Sequence, residues 1–176
     1  IINDKDLWVD PARMSAFEVK PGDLLTLGGY KAVVAAADHD PKSTPVIYGI
    51  EDNKGKRILY AHDTGCFTDS VIADLKKLGR FDLVSLDCTG AFNAEGWEHG
   101  HMSLRTDALM KDLLLKEGLA DEDTVFVVNH FSHNAFFGHD HEELCVEAKK
   151  YGFIVSYLSK AGIRRQGETR PEVYIL

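Results

Sequence analysis

Histidine and carboxylate residues recur in this sequence where short apolar runs end. His39 follows the run that begins at Tyr30, Asp63 follows "RILYA", Asp87 closes "FDLVSLD", and His130 follows "TVFVVN". Imidazole nitrogens and carboxylate oxygens are donors that zinc, manganese and iron accept in proteins. The set His39, Asp63 and His130 therefore predicts a metal site with N and O ligands, provided that the fold brings these strand ends together. Spacing alone leaves a second interpretation open, because histidines at strand ends often only terminate a strand.

The elements that would position these residues read as an α/β fold with a mixed sheet. Apolar runs on both sides of "NKG" (53–55) predict a β-hairpin. Further strands are predicted in "SAFEVK", "FDLVSLDCT", "TVFVVNH", "FIVSYLS" and "EVYIL". Helical periodicity predicts three helices, in "FTDSVIADLKKLG", "SLRTDALMKDLLLKEG" and "EELCVEAKKYG". Thr68 or Asp69 is expected to cap the first helix, and Ser103 the second.

Bulk composition limits the class of protein. The chain has 176 residues, which suits a single domain over 1–176, and 44% hydrophobic residues suffice for a core. The net charge of −8 makes a nucleic-acid partner a weak expectation, and no apolar run is long enough for a membrane span. Three cysteines without a C-x-x-C pair indicate a reducing, cytoplasmic setting.

The order of motifs resembles the metallo-β-lactamase superfamily, in particular its phosphoribosyl cyclic phosphodiesterase-like branch. The likeness runs from about Gly22 onward and is carried by "YGIEDNKGKRILYAHDTGCF", "FDLVSLDCT", "GHMS", "VVNHFSHN" and "YGFIVSYLS". It implies part of an αββα sandwich, with a mixed sheet and helices on the outer face. It also implies two divalent metal ions, zinc or manganese with iron as a further option, and a small or cyclic phosphodiester as the substrate.

Carried over residue by residue, the resemblance implies a role for each strand end. His39 would bind one ion, Asp63 would bridge both ions, and His130 would bind the other. His101 would contact the phosphate or protonate the leaving oxygen, and Asp87 would orient His101 by accepting its second ring proton.

Two further residues are candidates for substrate binding. His133 in "HFSHN" is a candidate phosphate contact, and Thr64 follows the bridging carboxylate directly. His62, which precedes that carboxylate, is expected to be a bystander. Gly65 is expected to allow a tight turn that exposes Asp63.

The H-x-H-x-D-H signature of the superfamily does not occur in this sequence. Its usual place lies upstream of Ile1, so the chain is expected to be the C-terminal part of a metallo-β-lactamase domain and inactive alone. A transfer-RNA 3′-processing nuclease or an ester or lactone hydrolase stays open as an alternative. A non-catalytic truncated relative that serves as an interaction module is another, and a homodimer is an option.

Overall fold

A computed structural model describes residues 17–93, 95–132 and 138–156 of the chain. These residues form one seven-stranded sheet and three helices. The strands are β1 (Leu24–Leu27), β2 (Tyr30–Ala36), β3 (Val46–Glu51), β4 (Arg57–Ala61), β5 (Leu83–Asp87), β6 (Val125–Asn129) and β7 (Ile154–Val155). The helices are α1 (Asp69–Leu75), α2 (Leu104–Lys116) and α3 (His141–Lys150).

The first four strands form an antiparallel meander. The turn between β3 and β4 contains Gly55 at a φ of 80°. The Asp52 carboxylate stabilises this turn, because its Oδ1 accepts the backbone N–H groups of Lys54 at 2.9 Å and Lys56 at 2.8 Å. The hairpin predicted around "NKG" is therefore confirmed.

The last four strands run parallel, and each connection between them contains one helix. Helix α1 connects β4 to β5, α2 connects β5 to β6, and α3 connects β6 to β7. Since β2 and β4 are both antiparallel to β3, they point the same way as each other. The carboxyl ends of β2, β4, β5 and β6 consequently lie at one edge of the sheet.

The core lies between one face of the sheet and the helices. Leu59, Val84 and Phe126 are paired neighbours on β4, β5 and β6 and share that face. Each helix adds a leucine with no exposed surface: Leu75 from α1, Leu114 from α2 and Leu144 from α3. Burial of each such side chain stabilises the fold by about 1.5–3 kcal/mol.

The α/β class and the mixed sheet predicted from the sequence are confirmed. One predicted strand is wrong, because residues 17–20 of "SAFEVK" form no strand. Phe17 is 54% exposed, and the Lys20 backbone N–H bonds to the Asp23 side chain at 2.9 Å instead of to a ladder. Within the described residues, the first strand is β1, which starts after that turn.

The helix predictions agree with the structure to within a few residues. Thr68 and Ser103 occupy the N-cap positions of α1 and α2. Helix α3 starts one residue earlier than the sequence suggests, with Asp140 as its cap. Asp140 Oδ1 accepts the backbone N–H of Glu143 at 2.9 Å, and Glu143 Oε2 accepts the backbone N–H of Asp140 at 3.0 Å. Among the described residues, no helix has the length and apolar character that crossing a membrane requires.

Candidate metal centre

Four strands place polar side chains at the same edge of the sheet. His39 lies after β2, Asp63 after β4, Asp87 at the end of β5 and His130 after β6. His101 reaches the same region from the loop between β5 and α2. The structure thus brings together the five residues that the sequence selected for metal binding and catalysis.

Asp63 lies between two of the predicted metal ligands. Its Oδ1 atom is 3.4 Å from His39 Nε2 and 3.3 Å from His130 Nε2. The Asp63 side chain is 58% exposed, so it is accessible to solvent. Potential ligand atoms of Asp63, Asp87, His101 and His130 all lie within 4.8 Å of one another.

The donor types and separations fit a divalent ion. Ligand atoms bound to a tetrahedral zinc at about 2.0–2.1 Å lie about 3.4 Å apart. The separations of Asp63 Oδ1 from His39 Nε2 and His130 Nε2 match that spacing. Imidazole nitrogen with carboxylate oxygen suits zinc, manganese and iron, and the geometry favours none of the three.

Two of the donors have left-handed backbone conformations. Asp63 has a φ of 52° and His130 a φ of 62°, and neither is glycine. Residues with a Cβ rarely adopt this region, and each such position costs on the order of 1–3 kcal/mol. Strain of this kind is typical of functional sites, where the surrounding contacts fix the side-chain direction.

A close packing of loops supports the Asp63 turn. The backbone N–H of Gly65 donates to the Asp38 carbonyl at 2.8 Å, and that of Cys66 donates to the Glu98 carbonyl at 2.8 Å. A Cβ atom at Gly65 would lie 2.4 Å from the Glu98 carbonyl oxygen. Gly65 is therefore needed for close backbone approach, whereas the left-handed residue of this turn is Asp63 itself.

Thr64 lies inside this loop packing. Its hydroxyl accepts the backbone N–H of Asp38 at 3.0 Å and contacts the Gly65 carbonyl at 3.2 Å. Only 1% of Thr64 is exposed, so its hydroxyl links the His39 loop to the Asp63 loop instead of facing solvent. The predicted substrate contact at Thr64 thus finds no accessible surface. His133, the other predicted substrate contact, lies outside the described residues.

Asp87 is fully buried and surrounded by N–H groups. Its Oδ1 accepts the backbone N–H of Thr89 at 2.9 Å and of Met102 at 3.3 Å. Its Oδ2 lies 2.9 Å from His101 Nδ1 and 3.3 Å from His130 Nδ1. One carboxylate thus contacts both imidazoles, whereas the sequence linked Asp87 only to His101.

The imidazoles also contact one another. The rings of His39 and His101 meet edge to face with centroids 4.8 Å apart, and those of His101 and His130 stack at 5.7 Å. The Trp97 ring lies 6.5 Å from His101 and packs against Gly90, where a Cβ atom would lie 2.5 Å from the indole. These contacts give the His101 loop a defined position beside the centre.

Other titratable residues near the centre have different partners. His62 Nε2 lies 2.7 Å from the Ser85 hydroxyl, and burial, together with the neighbouring His130, lowers the pKa of His62. Burial also raises the pKa of the Cys66 thiol to about 11, so this residue offers a thiol and not a thiolate ligand. His99 Nδ1 lies 2.7 Å from Asp38 Oδ2.

Sequence reasoning missed Thr89. Its hydroxyl lies 2.8 Å from His130 Nδ1 and 3.1 Å from His101 Nδ1, and it donates to the His130 carbonyl at 2.8 Å. The signal available was its position two residues after Asp87, at the end of a buried strand. A threonine at this position resembles an ordinary strand-end residue, and its contacts become evident only from the pairing of β5 with β6.

Solved structures with the same fold are similar over most of this chain. The metallo-beta-lactamase fold protein YhfI from Bacillus subtilis matches with a TM-score of 0.56 and 21% identity, covering 80% of this chain and 52% of that one. Zn(2+)-bound PqqB from Methylobacterium extorquens matches with a TM-score of 0.53 and 16% identity, covering 79% of this chain and 52% of that one. Isothiocyanate hydrolase from Delia radicum gut bacteria matches with a TM-score of 0.51 and 13% identity, covering 80% of this chain and 56% of that one.

The chain spans about half the length of these solved structures. No curated protein matches its sequence significantly. The family model described as "Beta-lactamase superfamily domain" matches residues 4–117, which is more than half of the chain and includes His39, Asp63, Asp87 and His101. With the fold and the donor cluster in agreement, the chain belongs to the beta-lactamase superfamily domain family.

Proposed function

We propose that this chain forms part of a metal-dependent hydrolase that acts on a small or cyclic phosphodiester. The observation that carries the proposal is the position of Asp63 Oδ1, which lies 3.3–3.4 Å from the Nε2 atoms of His39 and His130. A carboxylate between two imidazoles is suited to share two divalent ions. The further ligands of a two-metal centre would come from an H-x-H-x-D-H motif, which this sequence does not contain.

When bound, the ions supply Lewis acidity, which lowers the pKa of water and neutralises charge on phosphate oxygens. His39, Asp63 and His130 would hold them through imidazole nitrogens and carboxylate oxygens. The exposure of Asp63 leaves room for a substrate beside it. Phosphodiester hydrolysis fits this site because the reaction gathers negative charge at one phosphate, and fixed positive charge stabilises its transition state.

His101 is the candidate general acid. Its Nδ1 atom lies 2.9 Å from the buried Asp87 carboxylate, which accepts the Nδ1 proton and leaves Nε2 as the nitrogen that gives a proton. That proton passes to the alkoxide oxygen as it leaves the phosphorus atom.

The test uses the full-length protein, metal analysis and a panel of substrates. We expect stoichiometric bound zinc, manganese or iron and hydrolysis of a cyclic nucleotide or of bis(p-nitrophenyl) phosphate. His101→Gln is expected to lower kcat by about 10²–10⁴-fold with the bound metal retained. Asp63→Asn is expected to lose both metal and activity. His62→Gln is the matched control, since His62 precedes Asp63 but bonds to Ser85.

The same panel separates the alternatives. If the protein hydrolyses a lactone, or precursor transfer RNA with strong salt dependence, and does not hydrolyse the small phosphodiesters, then that compound class is the substrate instead. A full-length protein that holds no metal and hydrolyses none of these compounds refutes the enzyme proposal and favours an interaction module.

A further inference from the structure

Thr89 contacts both imidazoles and the strained backbone of His130 through a single hydroxyl group. Its Oγ1 atom is 2.8 Å from the His130 carbonyl oxygen, 2.8 Å from His130 Nδ1 and 3.1 Å from His101 Nδ1. A hydroxyl has one proton to donate and two lone pairs that accept. The three contacts therefore restrict which of these groups carries the protons.

The carbonyl of His130 can only accept a proton, so the Thr89 O–H donates to it. The lone pairs of Oγ1 then face the two Nδ1 atoms. Asp87 Oδ2 also only accepts, and it lies 2.9 Å from His101 Nδ1 and 3.3 Å from His130 Nδ1. With acceptors on both sides, each Nδ1 atom must carry a proton, which places the lone pair of neutral His130 on Nε2.

We propose that Thr89 is a positioning residue that fixes His130 in its Nδ1–H tautomer, so that the Nε2 lone pair faces Asp63 and is available to a divalent cation. This inference rests on the proposed function, because the tautomer matters for catalysis only if His130 binds metal. The opposite tautomer is stabilised in another way, because its Nε2–H group would lie 3.3 Å from Asp63 Oδ1 and could donate to it. Thr89 opposes that tautomer, which would compete with metal binding.

The hydroxyl also holds the His130 backbone. His130 has a φ of 62°, and both polar atoms of its main chain bond to side chains. Its N–H donates to Asn129 Oδ1 at 2.7 Å and its carbonyl accepts from Thr89. Loss of the Thr89 hydroxyl therefore removes both the contact that fixes the tautomer of the His130 ring and one of the two hydrogen bonds to the His130 backbone.

The two imidazoles differ in how much they depend on Thr89. His101 Nδ1 has its shorter contact with Asp87 at 2.9 Å, against 3.1 Å to Thr89. His130 Nδ1 has its shorter contact with Thr89 at 2.8 Å, against 3.3 Å to Asp87. Removal of the hydroxyl is expected to change the tautomer of His130 and leave that of His101 in place. His101 thus serves as an internal control.

The experiment records histidine ring ¹⁵N spectra of the metal-free full-length protein at about pH 8, above the ordinary histidine pKa of about 6.5. The signals are assigned by their loss in His101→Gln and His130→Gln. Wild-type His130 is expected as the Nδ1–H tautomer. Thr89→Val, which keeps the shape without the hydroxyl, is expected to populate the Nε2–H tautomer. Thr89→Ser retains the hydroxyl and is expected to restore the wild-type spectrum.

Zinc titration of the same samples gives the second readout. Thr89→Val is expected to weaken Zn²⁺ binding by about 10–100-fold, the usual effect of removing a partner behind a ligand, and Thr89→Ser by less than about threefold. Thr89→Ala serves as the second hydroxyl-free variant if the valine variant does not fold.

An Nε2–H tautomer of His130 in the metal-free wild type overturns the inference without any variant. A hydroxyl-free variant that keeps both the tautomer and the zinc affinity overturns it as well. A protein that hydrolyses no phosphodiester, yet shows the Nδ1–H tautomer and the weakened zinc binding, refutes the proposed function and supports this inference.

Discussion

Replacement of Asp107 by asparagine is expected to stabilise the folded protein increasingly as the pH rises. Asp107 lies in the first turn of α2 with no exposed surface. Neither of its carboxyl oxygens makes a hydrogen bond of ordinary length to the residues that the structure describes, and the Cys88 thiol is a neighbouring polar group. A charged carboxylate in such surroundings is costly, so the folded chain holds this group in its neutral form. Asparagine has nearly the same shape and cannot ionise.

The expected magnitude follows from the pKa of the carboxyl. Burial raises the pKa of Asp107 well above its ordinary value; the Cys88 thiol offsets part of this rise, and the charge of Asp87 adds to it. Below the unfolded-state pKa of about 3.9 the carboxyl is neutral in both states and carries no penalty. Above it only the unfolded chain ionises, and stability falls by about 1.4 kcal/mol per pH unit until the folded-state pKa is reached.

Urea unfolding of the metal-free protein, followed by far-ultraviolet circular dichroism between about pH 4 and pH 8, measures this difference. The free energy of unfolding of Asp107→Asn should match the wild type near pH 4 and exceed it progressively above that. Asp112→Asn, at an exposed position of the same helix, is the control and should differ by less than about 0.5 kcal/mol throughout. A gap between Asp107→Asn and wild type that does not change with pH would refute the reasoning.

Two further substitutions test the loops that support the centre. Gly65→Ala places a Cβ atom 2.4 Å from the Glu98 carbonyl oxygen. We expect urea titration to show a loss of about 1–3 kcal/mol in unfolding free energy, and zinc titration to show weaker binding. An unchanged zinc affinity would contradict this. Ser156→Ala removes the hydroxyl that bonds Asn129 Oδ1 at 2.8 Å, which should cost about 1 kcal/mol in urea unfolding, and an undiminished stability would show that this bond contributes nothing.

The sheet could largely be predicted from the sequence because its strands are short, apolar and bounded by turn residues. The hairpin around Asn53–Gly55 and the buried strands β5 and β6 follow from local pattern alone. The strand predicted before Pro21 is wrong because alternation in "SAFEVK" gives no information on whether a partner strand exists. Strand pairing is a property of the tertiary structure, and a short alternating run does not encode it.

The candidate ligand residues of the centre could be predicted from the sequence, but the residues that hold them in place could not. Asp63 and His130 stand out because a carboxylate or imidazole lies one or two residues after a strand. Thr89 does not, because its role arises only when β5 and β6 pair in register and bring its hydroxyl to the His130 backbone. The burial of Thr64 was not evident from the sequence either, because its hydroxyl bonds to the backbone N–H of Asp38, which lies 26 residues earlier in the chain.

These supports explain how the chain tolerates strain at two donors. Left-handed conformations at Asp63 and His130 together cost on the order of 2–6 kcal/mol, a large part of the stability of an ordinary domain. Side-chain hydrogen bonds of about 1 kcal/mol each, made by Thr89 and Asn129 to the His130 backbone, offset part of that cost. The Thr64 hydroxyl likewise stabilises the loops beside Asp63, because it accepts the backbone N–H of Asp38. The polar residues next to the ligands therefore stabilise the backbone conformations that direct the donor atoms toward one another.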